Sequence, residues 1–232
     1  MFWSEEETPD KFAVPDNVID LSFKVACKQI KLDHAWALTE ALSGLLPWFK
    51  EDPQCAIHHI YIPQSGNGWT RSDNLEGEND DEQIHLSRRT RLKIRLPRSR
   101  LTEAQAITGQ SIVIDDNTLT FAQSDIHLLS SMTTIVARHV YISATDNDEE
   151  AFLKQAQKQI NDLGIQVRKM LCGKAHQLNT PAGIIKTRSL MIADISPEES
   201  IRLQEYGVGE YYSYGCGVFI PQKSISSGKA SE

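Results

Sequence analysis

Apolar positions along this 232-residue chain fall into short alternating runs, interrupted by stretches where they return every three or four residues. The run VIDLSFKVACKQI, residues 18–30, alternates loosely and carries Val, Ile and Phe, which predicts a strand. Asp33 is a good helix N-cap, and behind it Ala35, Leu38, Leu42, Leu45 and Phe49 recur at helical spacing. Pro47 and Pro53 are expected to end that helix. AIHHIYIP, residues 56–63, predicts a second strand that runs into SGNG. IHLSRRTRLKIRLP, residues 84–97, predicts a third. LTEAQAITG then reads as a short helix stopped by Gly109, and SIVIDDNTLTFA as two β segments around an Asp-Asn turn.

A similar order begins again. Residues 126–143 are β-rich, and DEEAFLKQAQKQINDLG is an amphipathic helix with a C-terminal Gly. Strand-like segments follow around VRKML and GIIKTRSLMIADI. In SPEESIRLQEYG, Ser196 is an N-cap, Pro197 takes the first helical position and Glu199 completes a capping box. GVGEYYSYGCG then leads to the strand VFIP. The pattern predicts an α+β protein of two tandem ferredoxin-like (RRM-like, βαββαβ) domains, at residues 18–124 and 125–225. An acidic disordered tail, 1–17, and a flexible tail, 226–232, flank them.

Charge changes this picture locally rather than globally. The chain has 24 basic and 31 acidic side chains, a net charge of -7. The acids concentrate in residues 1–17 and in the loop SDNLEGENDDE, 72–82, and both read as solvated stretches. Without them the remainder is slightly basic, about +3, so a polyanionic partner is not excluded. No run approaches the roughly 20 apolar residues that span a bilayer, and no secretory leader opens the chain. Four scattered cysteines, with no C-x-x-C and no Cys/His pairing, fit reduced thiols in a cytoplasm and argue against a metal site.

The basic residues gather in LSRRTRLKIRLPRSR, residues 86–100. On a strand, Arg89, Arg91, Lys93 and Arg95 share one face, over roughly 20 Å at about 3.3 Å per residue. Arg88, Arg98 and Arg100 flank them. Such a row repels itself unless anions cover it, and RNA phosphates suit its length better than a small ligand does. The alternative is a solvated outer face turned toward the acidic loop. Backbone contacts of this kind position a nucleic acid without reading its sequence. The aromatic signature of a standard RNA-recognition sheet is absent.

Near the C-terminus Gly207, Gly209, Gly215 and Gly217 alternate with four tyrosines. Glycines permit close backbone approach, and amides exposed after a helix can cradle phosphates. The other reading is a tight connection between the last helix and the last strand.

Together VIDLSF, DHAWAL, LSRRTRLKIRLP, SLMI and SPEESIRLQEYGVGEYYSYGCGVFIPQKSI resemble the Cas6 family of CRISPR endoribonucleases, with the closer resemblance to its type I-MYXAN branch. The resemblance spans residues 18–225, and its last block is the most specific. It implies metal-independent cleavage of repeats in precursor CRISPR RNA, often at the base of a hairpin, with no cofactor. A 2′-hydroxyl attacks the adjacent phosphate, leaving a 2′,3′-cyclic phosphate and a 5′-hydroxyl. The family's general base is commonly a histidine in or beside the first helix, which corresponds here to His34.

Residue chemistry adds to that assignment. In the first turn of the expected helix, the dipole disfavours an imidazolium and helps keep His34 a neutral base. Proton abstraction of this kind contributes about 10²–10⁴ in rate. Arg88 or Arg89 is the expected cation for the phosphate, and Ser87 a weaker helper. His58 and His59 are adjacent on a strand and face opposite ways. His85, His127, His139 and His176 are each expected to be structural. Lys186 and Arg188, flanking Thr187, are further candidate RNA contacts. Two rival classes stay open: a non-catalytic RNA-binding subunit of a CRISPR effector, and an enzyme acting on a small phosphorylated substrate.

Overall fold

The computed structural model of the chain describes residues 12–61, 83–145 and 148–222. The expected acidic loop at 72–82 and the tail at 226–232 lie outside these residues. The architecture is a mixed α/β fold with antiparallel sheets. In the first half, β1 (Val18–Ala26), a short β2 (Gln29–Lys31), α1 (Ala35–Leu45), β3 (Ala56–Ile57), β4 (Gln83–His85), β5 (Arg91–Pro97), α2 (Leu101–Gln105), β6 (Ser111–Ile114) and β7 (Asn117–Leu128) follow in order. Five of them form a sheet in the order β3-β5-β1-β7-β6, while β2 pairs with β4.

The second half contains β8 (Ile135–Val140), α3 (Glu149–Asp162), β9 (Lys169–Thr180), β10 (Gly183–Ala193), α4 (Pro197–Tyr206) and β11 (Ile220–Pro221). Its sheet runs β11-β8-β10-β9. The capping box at Ser196 and Glu199 is formed in full, with Pro197 at the helix start. Asp148 caps α3 by accepting the Glu150 N–H, and the helix buries Phe152, Ala156 and Ile160 at the spacing that its pattern predicts.

Three differences from the sequence expectations have clear causes. Residues 12–17 are not a solvated tail, because Phe12 and Val14 cover a small apolar cluster of Val18, Leu129 and Ile201. The boundary expected at residue 124 falls inside β7, whose pairing with β1 continues to Leu128 opposite Ile19. The third expected strand splits into β4 and β5 around a turn at residues 87–90, where the Thr90 N–H bonds the Ser87 carbonyl at 3.0 Å.

The burial of β1 locates the second half. Val18 through Phe23 are all buried, although alternate residues point to opposite faces. One face carries Ile19, Leu21 and Phe23 into the core with Leu38 and Leu42 of α1. Asp20 and Ser22 on the other are buried too, Asp20 against Arg95, whose guanidinium reaches the second half. Lys24 is the first residue on that face to be exposed.

Candidate functional site

The basic strand changes character along its length. Leu92, Ile94 and Leu96 enter the core, as the alternation predicts. Opposite them, Arg95 is fully buried. Its Nε donates to Asp20 Oδ1 at 2.8 Å and its Nη2 to Oδ2 at 3.2 Å. Its Nη1 donates to the carbonyls of Gln204, at 2.7 Å, and Phe219, at 3.1 Å, in the second half. Arg95 is therefore withdrawn from the predicted RNA-facing row: its charge is neutralised internally and ties the two halves together. Burial pushes the Asp20 carboxyl up, but Arg95 and His58 together hold it well below the usual carboxylate range. Lys93 is half-buried, with Nζ 3.9 Å from the same carboxylate.

Beyond Lys93 the face opens. Arg91 is exposed and stands directly opposite Lys24 of β1. Two like charges in direct cross-strand register repel each other, which an anion above them would relieve. Arg88 and Arg89 are exposed in the turn at 87–90 rather than on the strand. Arg88, Lys24 and Lys28 line an open cleft of about 640 Å³, with Ser87 and, as the single carboxylate among the described residues, Asp116 on its wall. Lys24 and Lys28 escaped sequence reasoning because they belong to a different strand and its following turn. Only the pairing register brings them beside Arg91 and Arg88.

The late strand splits its two candidates. Lys186 is exposed. Arg188 is mostly buried and pairs with Glu149 of α3 at 3.3 Å, so it braces α3 against the sheet.

Around the glycines the structure forms a tight connection. Gly207 donates its N–H to the Leu203 carbonyl, Gly215 to Tyr212 and Gly217 to His139. Gly209 donates to the Gln159 side chain at 2.7 Å. With all four amides engaged inside the protein, the phosphate-cradle alternative is not what this loop presents. Its glycines serve close approach instead. A Cβ at Gly215, where φ is +85°, would stand 2.7 Å from His59 Nε2.

His34 is not in the first turn of α1. It occupies the N-cap position and is 1% exposed. Asp33, expected there, instead accepts the Asn179 backbone N–H through Oδ2 at 2.5 Å. The His34 ring is committed at both nitrogens. Nε2 accepts the Ile60 backbone N–H at 3.0 Å, while Nδ1 lies 3.1 Å from the carbonyls of Lys31 and Leu32 and must donate to them. A proton added at Nε2 would face another N–H. In this arrangement His34 is a neutral brace, not the accessible base expected from its position.

It is, however, the buried end of a file of four imidazoles that crosses the seam between the halves. His34 and His59 have ring centroids 6.0 Å apart. His59 stacks on His139 at 4.7 Å with an interplanar angle of 21°. His139 meets His176 edge-on at 5.3 Å. Tyr61 stacks beside His59 at 6.0 Å, and the Arg138 guanidinium lies 4.3 Å over the Tyr61 ring. His59 and His176 are partly exposed, while His139 is buried.

Hydrogen bonds tie this file to the backbone and to Thr187. His59 Nε2 lies 3.2 Å from the Tyr214 carbonyl and can only donate to it. His139 Nδ1 lies 3.0 Å from Thr187 Oγ1. The Thr187 hydroxyl also lies 3.5 Å from the His176 carbonyl. Two imidazolium charges 4.7 Å apart would repel by about 3–4 kcal/mol at an effective dielectric near 20, which disfavours protonating both stacked rings. Among the described residues no three His, Cys, Asp or Glu side chains converge as metal ligands.

His58 faces the other way, as its alternation with His59 predicts, and its Nε2 lies 3.2 Å from Asp20 Oδ1. His139 and His176 stand alone in the sequence, a pattern that predicts structural roles. Their proximity arises from β8, β9 and β10 lying side by side, which no local spacing signals.

A family model described as Cas6 Crispr matches residues 19–224. The chain belongs to the Cas6 family. A CRISPR-associated endonuclease Cas6 of Myxococcus xanthus strain DK1622 is 26% identical over 204 residues, which cover 88% of this chain and 81% of that protein. Among solved structures, a CRISPR associated protein Cas6 superposes with a TM-score of 0.57 at 10% identity, covering 89% of this chain and all of the other. An RAMP protein described as binding different RNA substrates gives 0.61 at 12% identity, over 88% of this chain and all of the other. A Cas6-related protein from Pyrococcus furiosus gives 0.53 at 16% identity, covering 89% of this chain and all of that one. These similarities establish a shared Cas6 fold. No helix among the described residues is long and apolar enough to cross a membrane.

Proposed function

We propose that this Cas6 family member is a metal-independent endoribonuclease that cleaves the repeats of precursor CRISPR RNA within two tandem ferredoxin-like domains. The strand orders support the architectural part. In each half the elements follow β-α-β-β-α-β, and the sheet places the fourth strand of that unit beside the first, then the third, then the second. β7-β1-β5-β3 and β11-β8-β10-β9 are the same arrangement twice.

The observation that carries the activity is the file of imidazoles at the seam, beside an open basic face. The His58 N–H bonds the Lys93 carbonyl at 2.9 Å, so His59 lies on the segment that continues β3 alongside the strand bearing the cations. Arg88, Arg89, Arg91 and Lys93, joined by Lys24 and Lys28, hold the RNA backbone, and the exposed Lys186 of the second half adds a contact. The seam histidines move the proton. A 2′-hydroxyl deprotonated there attacks the adjacent phosphorus, and the 5′-oxygen leaves with the bonding electron pair. Arg138, beside Tyr61, is placed to offset the charge that develops on the phosphate. Imidazole and guanidinium groups supply the acid–base and electrostatic parts of such a reaction without a metal. A cytoplasmic location belongs to the same proposal and is supported by the four free cysteines.

The test is incubation with repeat RNA in EDTA, followed by end-group analysis. Fragments ending in 2′,3′-cyclic phosphate and beginning with 5′-hydroxyl are expected. RNA that is bound but left intact would instead identify a non-catalytic RNA-binding subunit of a CRISPR effector.

A further inference from the structure

We infer that the protein forms a two-fold dimer by pairing the outer edge of β7, residues 122–128, with the same edge of a second copy. This surface lies outside the imidazole file, and the inference does not depend on the endoribonuclease reading.

The outer side of β7 is covered for part of its length. β6 pairs with residues 117–120. The turn before β6 adds one more, since Phe121 donates its N–H to the Gln110 carbonyl at 2.9 Å and accepts the Gly109 N–H at 2.8 Å. From Ala122 to Leu128 nothing among the described residues pairs with that side, although β1 stays paired on the other side as far as Leu128. Such an edge turns N–H and C=O groups outward at every second residue, and proteins commonly blunt it with Pro or Lys. The segment AQSDIHL contains neither. Ile126 and Leu128 stand opposite Leu21 and Ile19, on the side of the sheet that forms the core. Leu21 and Ile19 are fully buried, yet Ile126 is 41% and Leu128 52% exposed, so the apolar side of the sheet continues past what covers its centre.

The occupant is a second copy because this edge is complementary to itself. Two such edges pair antiparallel about a two-fold axis perpendicular to the sheet, which sets one residue opposite its own copy. With Ile126 on the axis, Asp125 of each copy stands opposite His127 of the other, so a carboxylate meets an imidazole twice. On the opposite side of the joined sheet Ile126 meets Ile126 of the second copy, and each Leu128 lies diagonal to it. The four exposed apolar side chains then cover one another. Moving the axis to Asp125 would set two carboxylates face to face, and moving it to His127 would pair Asp125 with Leu129. The charges therefore select the register centred on Ile126. A perpendicular axis also keeps the sides of the sheet matched, so the Arg91 and Lys24 faces of both copies look the same way.

The experiment is sedimentation of the full chain without RNA, with hydrogen exchange of the β7 amides measured alongside. The paired edge is a small interface, so wild type should be monomeric at about 1 μM and dimeric at about 100 μM. Ile126→Lys, which puts two ammonium groups at the axis, should weaken the dimer by about tenfold or more. Asp125→Lys and His127→Asp each set like charges opposite one another and should weaken it by about tenfold. The double variant Asp125→Lys/His127→Asp restores unlike pairs and should return the dimer Kd to within about threefold of wild type. Because the double variant carries both substitutions, damage to the fold cannot produce that recovery. A wild type that stays monomeric at about 100 μM overturns the inference. So does a dimer whose Kd none of these variants changes, or a double variant no tighter than the single ones. A monomer whose amides at 122–128 nevertheless exchange slowly would mean that another segment of the same chain fills the edge, which overturns it as well.

Discussion

Arg95 and Asp20 face each other across β5 and β1 as a two-pronged ion pair, and the same guanidinium reaches two carbonyls of the second half. A charge placed there cannot also hold RNA. Replacing it by Met leaves the Asp20 carboxylate buried without its main partner and frees two carbonyls. A loss of about 3–5 kcal/mol is expected, or about 6–20 °C in melting temperature for a chain of this size. The salt dependence of RNA binding by the folded Arg95→Met protein should match wild type. A variant that melts normally yet shows a reduced salt slope would return Arg95 to the RNA face.

Arg91 and Lys24 are the opposite case, since both are exposed cations in direct cross-strand register. Arg91→Glu and Lys24→Glu should leave the melting temperature within about 2 °C of wild type, because exposed substitutions seldom cost more than about 0.5 kcal/mol. Each should weaken RNA binding and lower the slope of log K against log salt by about 0.7–0.9. Titrations with an unchanged slope would show that this face does not touch phosphates.

How far the sequence could be read depends on the range over which each feature is determined. The capping box at Ser196, the amphipathic stripe of α3 and the apolar face of β5 follow from residues a few positions apart, and these emerge as predicted. Alternation also separates His58 from His59 correctly. It fails at Arg95, because alternation says which residues share a face but not what covers it. The second half covers the inner end of that face and leaves the outer end open. The histidine file was illegible for the same reason. His34, His59, His139 and His176 lie on four separate elements, and only sheet order and the packing of the halves bring them into contact. The glycine-rich segment is a middle case: its composition signals close approach, but not that the neighbour is His59 rather than a phosphate.

The neutral brace formed by His34 gives a prediction that separates structure from chemistry. His34→Ala leaves the buried Ile60 N–H without an acceptor, at a cost of about 1–3 kcal/mol, or about 2–12 °C in melting temperature. The side-chain carbonyl of His34→Gln can accept that N–H and should recover most of the loss. Cleavage should follow stability, reduced in the Ala variant and substantially restored in the Gln variant. A Gln variant that melts like wild type yet does not cleave would make His34 itself the proton acceptor.

His58 contributes to the pH dependence of folding. Burial pushes its imidazole below the usual histidine value, despite the pull of Asp20 in the other direction. As pH falls through that usual value, the unfolded chain therefore takes up a proton before the folded one does, and stability drops until the folded value is reached. Asp20 does not mask this. Its carboxyl is held well below the usual range, so its contribution persists until the pH falls below that of ordinary carboxylates. Between about pH 7.5 and about pH 5.5 the melting temperature of wild type should thus decline. In His58→Gln, whose amide can still donate to Asp20 but cannot titrate, the decline should be smaller. Parallel melting curves for the two proteins across that window would mean that His58 keeps an ordinary proton affinity and that the Asp20 cluster is held by Arg95 alone.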